Sequence, residues 1–196
     1  MFAFDKLPNI SDYRDISNIP YLFLGILIVD LAVIFLARYL PIKNLNVWYD
    51  DFEFHAVFAD VLSILLGFIL CQFIYTKLIM PYFGWNPIIF ILILVLIQIS
   101  HDLFFYYFIV LPMPQGHNGI IDIFKKYVEG NIEIRDYIIV SDSLMMISSV
   151  LIVLGLKYLP NYAITFMTTL TMYTMIYILN TKNEVKGLLY TLEDLK

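Results

Sequence analysis

The sequence predicts an all-α fold: a polytopic transmembrane helical bundle of about five spans, with one short interfacial amphipathic helix. Three observations predict it. Of the 196 residues, 61% are hydrophobic. Only 15% are charged, against roughly 25% in a soluble domain. The apolar residues also gather into five runs, each near the ~20 residues a helix needs to cross a bilayer. A soluble chain of this length could not hide so much apolar surface in one core, because too much of a small globule is surface.

The first run is Tyr21–Leu40, stopped by Pro41. A short polar link, Ile42–Glu53, follows, with Trp48 and Tyr49 expected as anchors at the membrane interface. The second run is Phe54–Ile79, ending at Met80-Pro81. After the aromatic turn 82–86, Asn86 fits an N-cap and Pro87 the first helical position of the third run, Pro87–Leu111. Residues 112–136 form the longest connection. Within it, about 119–129 reads as the amphipathic helix, with Ile120, Ile121, Phe124, Tyr127 and Val128 on one face. Asp122, Lys125, Lys126 and Glu129 fall on the other, where the two lysines suit anionic headgroups. Asn118 caps its start and Gly130 its end. The fourth run is Tyr137–Leu159, broken by Pro160. The fifth is Asn161–Leu179, rich in Thr and Met, with Asn161 as N-cap. No repeat and no separate soluble domain is visible, so residues 1–196 read as one transmembrane domain.

The formal net charge is −5. An acidic balance argues against nucleic acid, which needs clustered Lys and Arg. The lipid bilayer is the expected partner, with a second copy of the chain or other membrane proteins as further partner classes. The one cysteine, Cys71, sits in an apolar run and reads as a small buried residue. No cleavable leader is expected, because residues 1–20 carry mixed charge and no small-residue cleavage site follows the first run.

Five spans place the termini on opposite sides. Lys6, Arg14, Lys77 and Lys157 then share one side, four cations in all. Arg38, Lys43, Lys125, Lys126, Arg135, Lys182, Lys186 and Lys196 share the other, eight in all. The excess favours the N-terminus outside and the C-terminus in the cytoplasm.

Chemistry is expected where the bilayer makes polar groups costly. Asp30, Asp60, Asp102 and Asp142 lie one on each of the first four runs, and intramembrane acids usually face protein or water. With a helical rise of ~1.5 Å per residue, Asp142 lies roughly 8 Å from the cytoplasmic end, Asp60 roughly 9 Å, Asp102 roughly 14 Å and Asp30 roughly 15 Å. All four therefore fall in one half of the membrane, on the side of the 112–136 connection. There Gln115, His117 and Asn118 could cover them. Ala56, Ala59, Asp60, Ser63 and Gly67 form a small, polar stripe that turns Asp60 toward a neighbouring helix. Gln98 and Asp102 are four apart on one face, with His101 beside them, and Asp142 shares a face with Met145 and Ser149.

The candidate site is accordingly Asp60, His101, Asp102 and Asp142, with His55, Asp30 and Gln98 as secondary members. Three chemistries fit. The acids can be hydrogen-bonded partners that fix helix register. They can line a polar pocket for a divalent metal or a headgroup, with hydrolytic or transfer chemistry, although no close-spaced ligand motif is present. Or they can form a proton or ion path. No cofactor motif is legible. The Gly116–Gly119 turn reads as a turn and helix cap, and Met145-Met146 as packing.

The segments His55-Ala56-Val57-Phe58-Ala59-Asp60-Val61-Leu62 and Ile97-Gln98-Ile99-Ser100-His101-Asp102-Leu103-Phe104-Phe105-Tyr106-Tyr107, followed by Pro112–Asn118 and Ser141–Met146, are similar to uncharacterised multi-span membrane proteins of nucleocytoplasmic large (giant) DNA viruses. The likeness extends over residues 48–180. It implies a viral membrane protein of the virion's internal membrane or of host membranes, and carries over no catalytic residue. Tags at the two termini are expected to report opposite sides of the membrane; same-side tags would reject five spans.

Overall fold

The structure is a computed structural model that describes residues 6–40, 43–128 and 132–181. All regular structure among them is helical. Helix α1 (Ile19–Tyr39) follows a 3-10 turn, Ile16–Asn18, and carries Pro20 in its first turn, where the missing N–H costs nothing. α2 (Lys43–Phe52) and α3 (Phe54–Ile74) are separated by Glu53 alone. α3 runs through a π-helical turn, Tyr75–Ile79, into α4 (Met80–Phe83). α5 (Pro87–Phe105) likewise continues into a π turn, Tyr106–Val110. α6 (Gly119–Val128), α7 (Ile132–Leu156) and α8 (Asn161–Leu179) complete the chain.

Five helical stretches are long and apolar enough to cross a membrane: Ile16–Tyr39, Phe54–Phe83, Pro87–Val110, Ile138–Leu156 and Asn161–Leu179. They match the five runs in number and order and differ at the ends. The second stretch passes its expected stop at Met80-Pro81, because the π turn lets the Met80 N–H reach the Tyr75 carbonyl and so accommodates the proline. The link expected over Ile42–Glu53 is mostly the helix α2. Asn161 is not the cap of α8: Pro160 precedes the helix, and the Asn161 amide oxygen accepts from the Tyr21 hydroxyl at 2.7 Å. Asn86 and Asn118 do cap their helices, each accepting from two backbone N–H groups. Gly130, expected to end α6, lies outside the described residues.

α1 packs on α3 and α7, and α5 packs on the same two, so these four close a ring. α8 stands outside it, held chiefly against α1. Each helix of the ring carries one of the four acids; the outer helix carries none. Inside lipid the hydrophobic effect gives little preference for helix contact, so close fit and polar bonds must hold the ring. Gly25 supplies the fit between α1 and α7. A β-carbon there would collide with Cγ2 of Val153 and approach the Ser149 carbonyl to 3.5 Å. Gly67 does the same for α3, where a β-carbon would sit 3.0 Å from Cε of Met146 on α7. The large exposed apolar side chains, such as Leu66, Leu96, Phe166 and Tyr173, lie on the outer faces and suit lipid.

Arg38 ties the outer helix to the ring. It is buried in the last turn of α1 and donates to Asn46 at 2.8 Å, to Asp50 at 2.6 Å and to the Leu179 carbonyl at 2.6 Å. Asn46 in turn donates to the Ala37 carbonyl. One guanidinium thus satisfies side-chain acceptors on α2 and the last carbonyl of α8, and Asn46 carries the chain of bonds back to the end of α1.

Gly25→Ala is expected to lower stability by about 1–3 kcal/mol through overpacking, seen as a lower unfolding midpoint in detergent. Adding Val153→Ala removes the colliding methyl group and should restore part of the loss; no restoration would place the defect elsewhere.

Candidate functional site

The helix α2 is what brings the acids together. Glu53 adopts φ 48°, a left-handed backbone angle uncommon for a residue with a side chain. That single turn folds α2 back against α1 and α3. Asn46, Tyr49 and Asp50 then share the face toward α1, and Trp48 points toward α3.

Tyr49 is buried, at 1% exposure, and lies between two helices of the ring. Its hydroxyl is 3.0 Å from Oδ1 of Asp30 on α1 and 3.4 Å from Oδ2 of Asp60 on α3. The Trp48 indole N–H donates to the same Asp60 oxygen at 3.1 Å. Asp30 is fully buried, and its Oδ2 has no hydrogen-bond partner among the described residues. Burial first, then the charges of Asp30 and Asp60, the bond to Asp30 and the charge of Asp142 hold the Tyr49 phenol well above its ordinary ionisation range. One phenol therefore senses acids from three helices.

The other half of the cluster is on α5 and α7. Gln98 is buried and donates to Oδ1 of Asp102 at 2.7 Å. Nδ1 of His101 lies 3.2 Å from the same oxygen, and its ring stacks on Phe105 at 5.9 Å. The second oxygen of Asp102 is buried without a partner among the described residues. Asp142 has a long contact with Ser141, at 3.5 Å, and lies within electrostatic reach of Asp102, Asp60 and His101. Met146 and Ser149, on the same side of α7, are fully buried.

Six of the seven candidates thus belong to one neighbourhood: Asp30, Asp60, Gln98, His101, Asp102 and Asp142. His55 does not. Its ring is exposed and hydrogen-bonds the Phe52 carbonyl at 3.2 Å, one turn away. Asp30, a secondary candidate by sequence, is the most buried of the acids.

The cover of the site differs from expectation. Gln115, His117 and Asn118 are exposed. Phe124 of α6 takes that role, edge-on to Trp48 at 5.5 Å and to Phe105 at 6.2 Å. Trp48 and Tyr49, expected as anchors at the membrane interface, close over the acids. Lys125 was expected to face anionic headgroups. It is buried, and its ammonium donates to the carbonyls of Leu111 (3.2 Å) and Met113, just past the last turn of the third stretch. The side chain of Lys126 lies outside the described residues. The Gly116 N–H is held by the Asp122 carboxylate at 3.0 and 3.1 Å, a turn and cap as read.

Among the described residues no group of three His, Cys, Asp or Glu is arranged to hold a metal ion. Asp30 and Asp60 are paired with donors on α2, and Asp102 and Asp142 with polar groups of their own helices. Comparison with protein-family models, curated proteins and solved structures finds no match.

Tyr49→Phe removes the only donor Asp30 has among the described residues. It is expected to cost about 1–3 kcal/mol, the penalty for an unsatisfied buried polar group. His55→Ala should stay within about 0.5 kcal/mol, as an exposed site does. Unfolding midpoints in detergent check both; equal effects would refute the assignment of the site.

Proposed function

We propose that this chain is a multi-span integral membrane protein that binds protons in its ring of intramembrane carboxylates, with the N-terminus outside and the C-terminus in the cytoplasm. One observation carries the reading: a single phenolic proton faces carboxylates on two different helices. A phenol has one hydrogen to donate and lone pairs to accept. When Tyr49 donates to Asp30, its oxygen is left to accept from Asp60, and that bond forms only if Asp60 brings a proton of its own. A proton arriving at Asp60 is therefore matched by an acceptor, and Asp60, Tyr49 and Asp30 form a relay. Asp142, Asp102 and His101 extend the same charge cluster toward the flank of α5, where His101 is half exposed.

The excess of cations on the cytoplasmic connections supports the orientation. The likeness of residues 48–180 to membrane proteins of large DNA viruses supports a viral origin, with a virion or host membrane as the setting. Carboxylates that served packing alone would be replaceable by amides of the same shape, so the proton reading is separable by experiment.

The chain has two tryptophans, Trp48 and Trp85. In a Trp85→Phe background, Trp48 emission reports on Asp60 directly. It is expected to change with pH between about 4 and about 10, the interval from ordinary carboxyl to phenol ionisation. The change should vanish in an Asp30→Asn, Asp60→Asn double variant. A flat response in the parent, or the same response in the double variant, would sink the proposal.

A further inference from the structure

The face of the ring opposite the acid site is closed by the chain's own N-terminal segment. Residues 7–15, between the 3-10 residue Lys6 and the 3-10 turn Ile16–Asn18, have no regular structure, yet they are not a free tail. The Lys6 carbonyl lies 3.5 Å from the Tyr158 hydroxyl, beyond the end of α7. Ile10 is fully buried and belongs to the main core with Cys71 and Tyr75 of the second stretch. The buried Gln72 amide donates to the Ile10 carbonyl at 2.6 Å, and Thr76 donates to the Ser11 carbonyl at 2.7 Å. Tyr13 then meets Phe73 edge-on at 5.3 Å, with the Lys77 ammonium 5.6 Å above its ring. The segment therefore runs from the α7 side of the ring to the α3 side and lays one isoleucine into its mouth.

We propose that this segment is a removable stopper that controls access to the ring interior from the N-terminal face. Its attachment differs in kind from that of the helices. Gln72 and Thr76 hold it by side-chain bonds to its backbone, and residues 7–15 belong to no helix or strand, so they can leave without unwinding a span. Segments with few packed apolar contacts open at lower free energy than the core around them. Both donors that hold it can turn to water once it has gone. Two further donors near this end, Nδ2 of Asn18 and Nε1 of Trp85, are buried without acceptors among the described residues, a cost that entry of water would relieve. Beneath the stopper, Phe68, Tyr75, Trp85 and Phe90 form an aromatic layer with ring centres 5.6 to 6.2 Å apart. The acid site is thus shut from this side in the conformation described. The purpose assigned to the stopper, exposure of a proton site to the second face, rests on the proton-binding reading above; its movement does not.

Cys71 makes the movement measurable. It is the chain's one cysteine, fully buried, and the neighbour of Gln72. In the full-length protein in lipid nanodiscs, a water-soluble maleimide is expected to label Cys71 slowly. Ile10→Gly and Gln72→Leu should each raise the rate at least tenfold. A second thiol separates stopper release from general loosening: Val150→Cys, in a Cys71→Ser background, is buried on α7 away from the segment. Its rate should not change when Ile10→Gly is added. Unchanged Cys71 labelling in both variants, or equal acceleration at Val150→Cys, overturns the stopper. The thiol assay does not require the acids to titrate, so a flat Trp48 response leaves it intact. Conversely, unchanged labelling leaves the Trp48 titration standing.

Discussion

A carboxylate inside a bilayer must be given hydrogen-bond donors, and that requirement organises this protein. Lipid offers none, and removing a charge from water is far more costly than any single packing contact is favourable. Two of the four acids are met by one short helix. α2 supplies the phenol of Tyr49 and the indole of Trp48, both large enough to fill the mouth of the ring and each with one polar atom to give. To do so, α2 lies against α1 and α3, and the left-handed Glu53 is the backbone conformation that permits it. The pairing of Gln98 with Asp102 on α5 answers the same need within a single helix turn.

The buried guanidinium of Arg38 follows from this placement. Once α2 is folded back, the ends of α1 and α2 lie together, with carbonyls and a carboxylate that need a donor. Arginine presents its donors in a rigid fork and remains charged when buried. It satisfies α2 with one arm and the terminal carbonyl of α8 with the other. The acid-free outer helix is thereby fastened to the same joint that closes the acid site. Loss of the exposed Asp50 carboxylate would leave the buried guanidinium charge short of a counter-ion, so the Arg38 end sets the strength of the joint.

The five spans were legible because run length and composition are sufficient evidence in a solvent that forbids exposed backbone. The inward turn of Asp60 was legible for a related reason: the stripe Ala56, Ala59, Ser63, Gly67 marks a close approach, and Gly67 indeed faces Met146. The bonds of Trp48 and Tyr49 to the acids were not legible, because aromatic residues between spans read as interface anchors. The signal that could have corrected this is the spacing of Asn46, Tyr49 and Asp50 at i, i+3 and i+4, a polar helical face too short to stand out. Asp30 was ranked low because its partner lay on that unrecognised helix. Lys125 was assigned to the polar face of α6 by periodicity, which carries no information about carbonyls left open at the end of another helix.

The sequence separations of these bonds also order the events of assembly. Tyr49 reaches Asp30 across 19 positions and Trp48 reaches Asp60 across 12. The first helical hairpin can thus shelter both of its acids while it leaves the ribosome, before the later helices exist. Arg38 and Leu179 are 141 residues apart, and Lys157 and Asn18 are 139 apart. The Lys157 clasp closes once α7 is complete, and the Arg38 clasp only when the last helix arrives. Early local protection and a late long-range lock let a chain with four intramembrane acids enter lipid without exposing all of them at once.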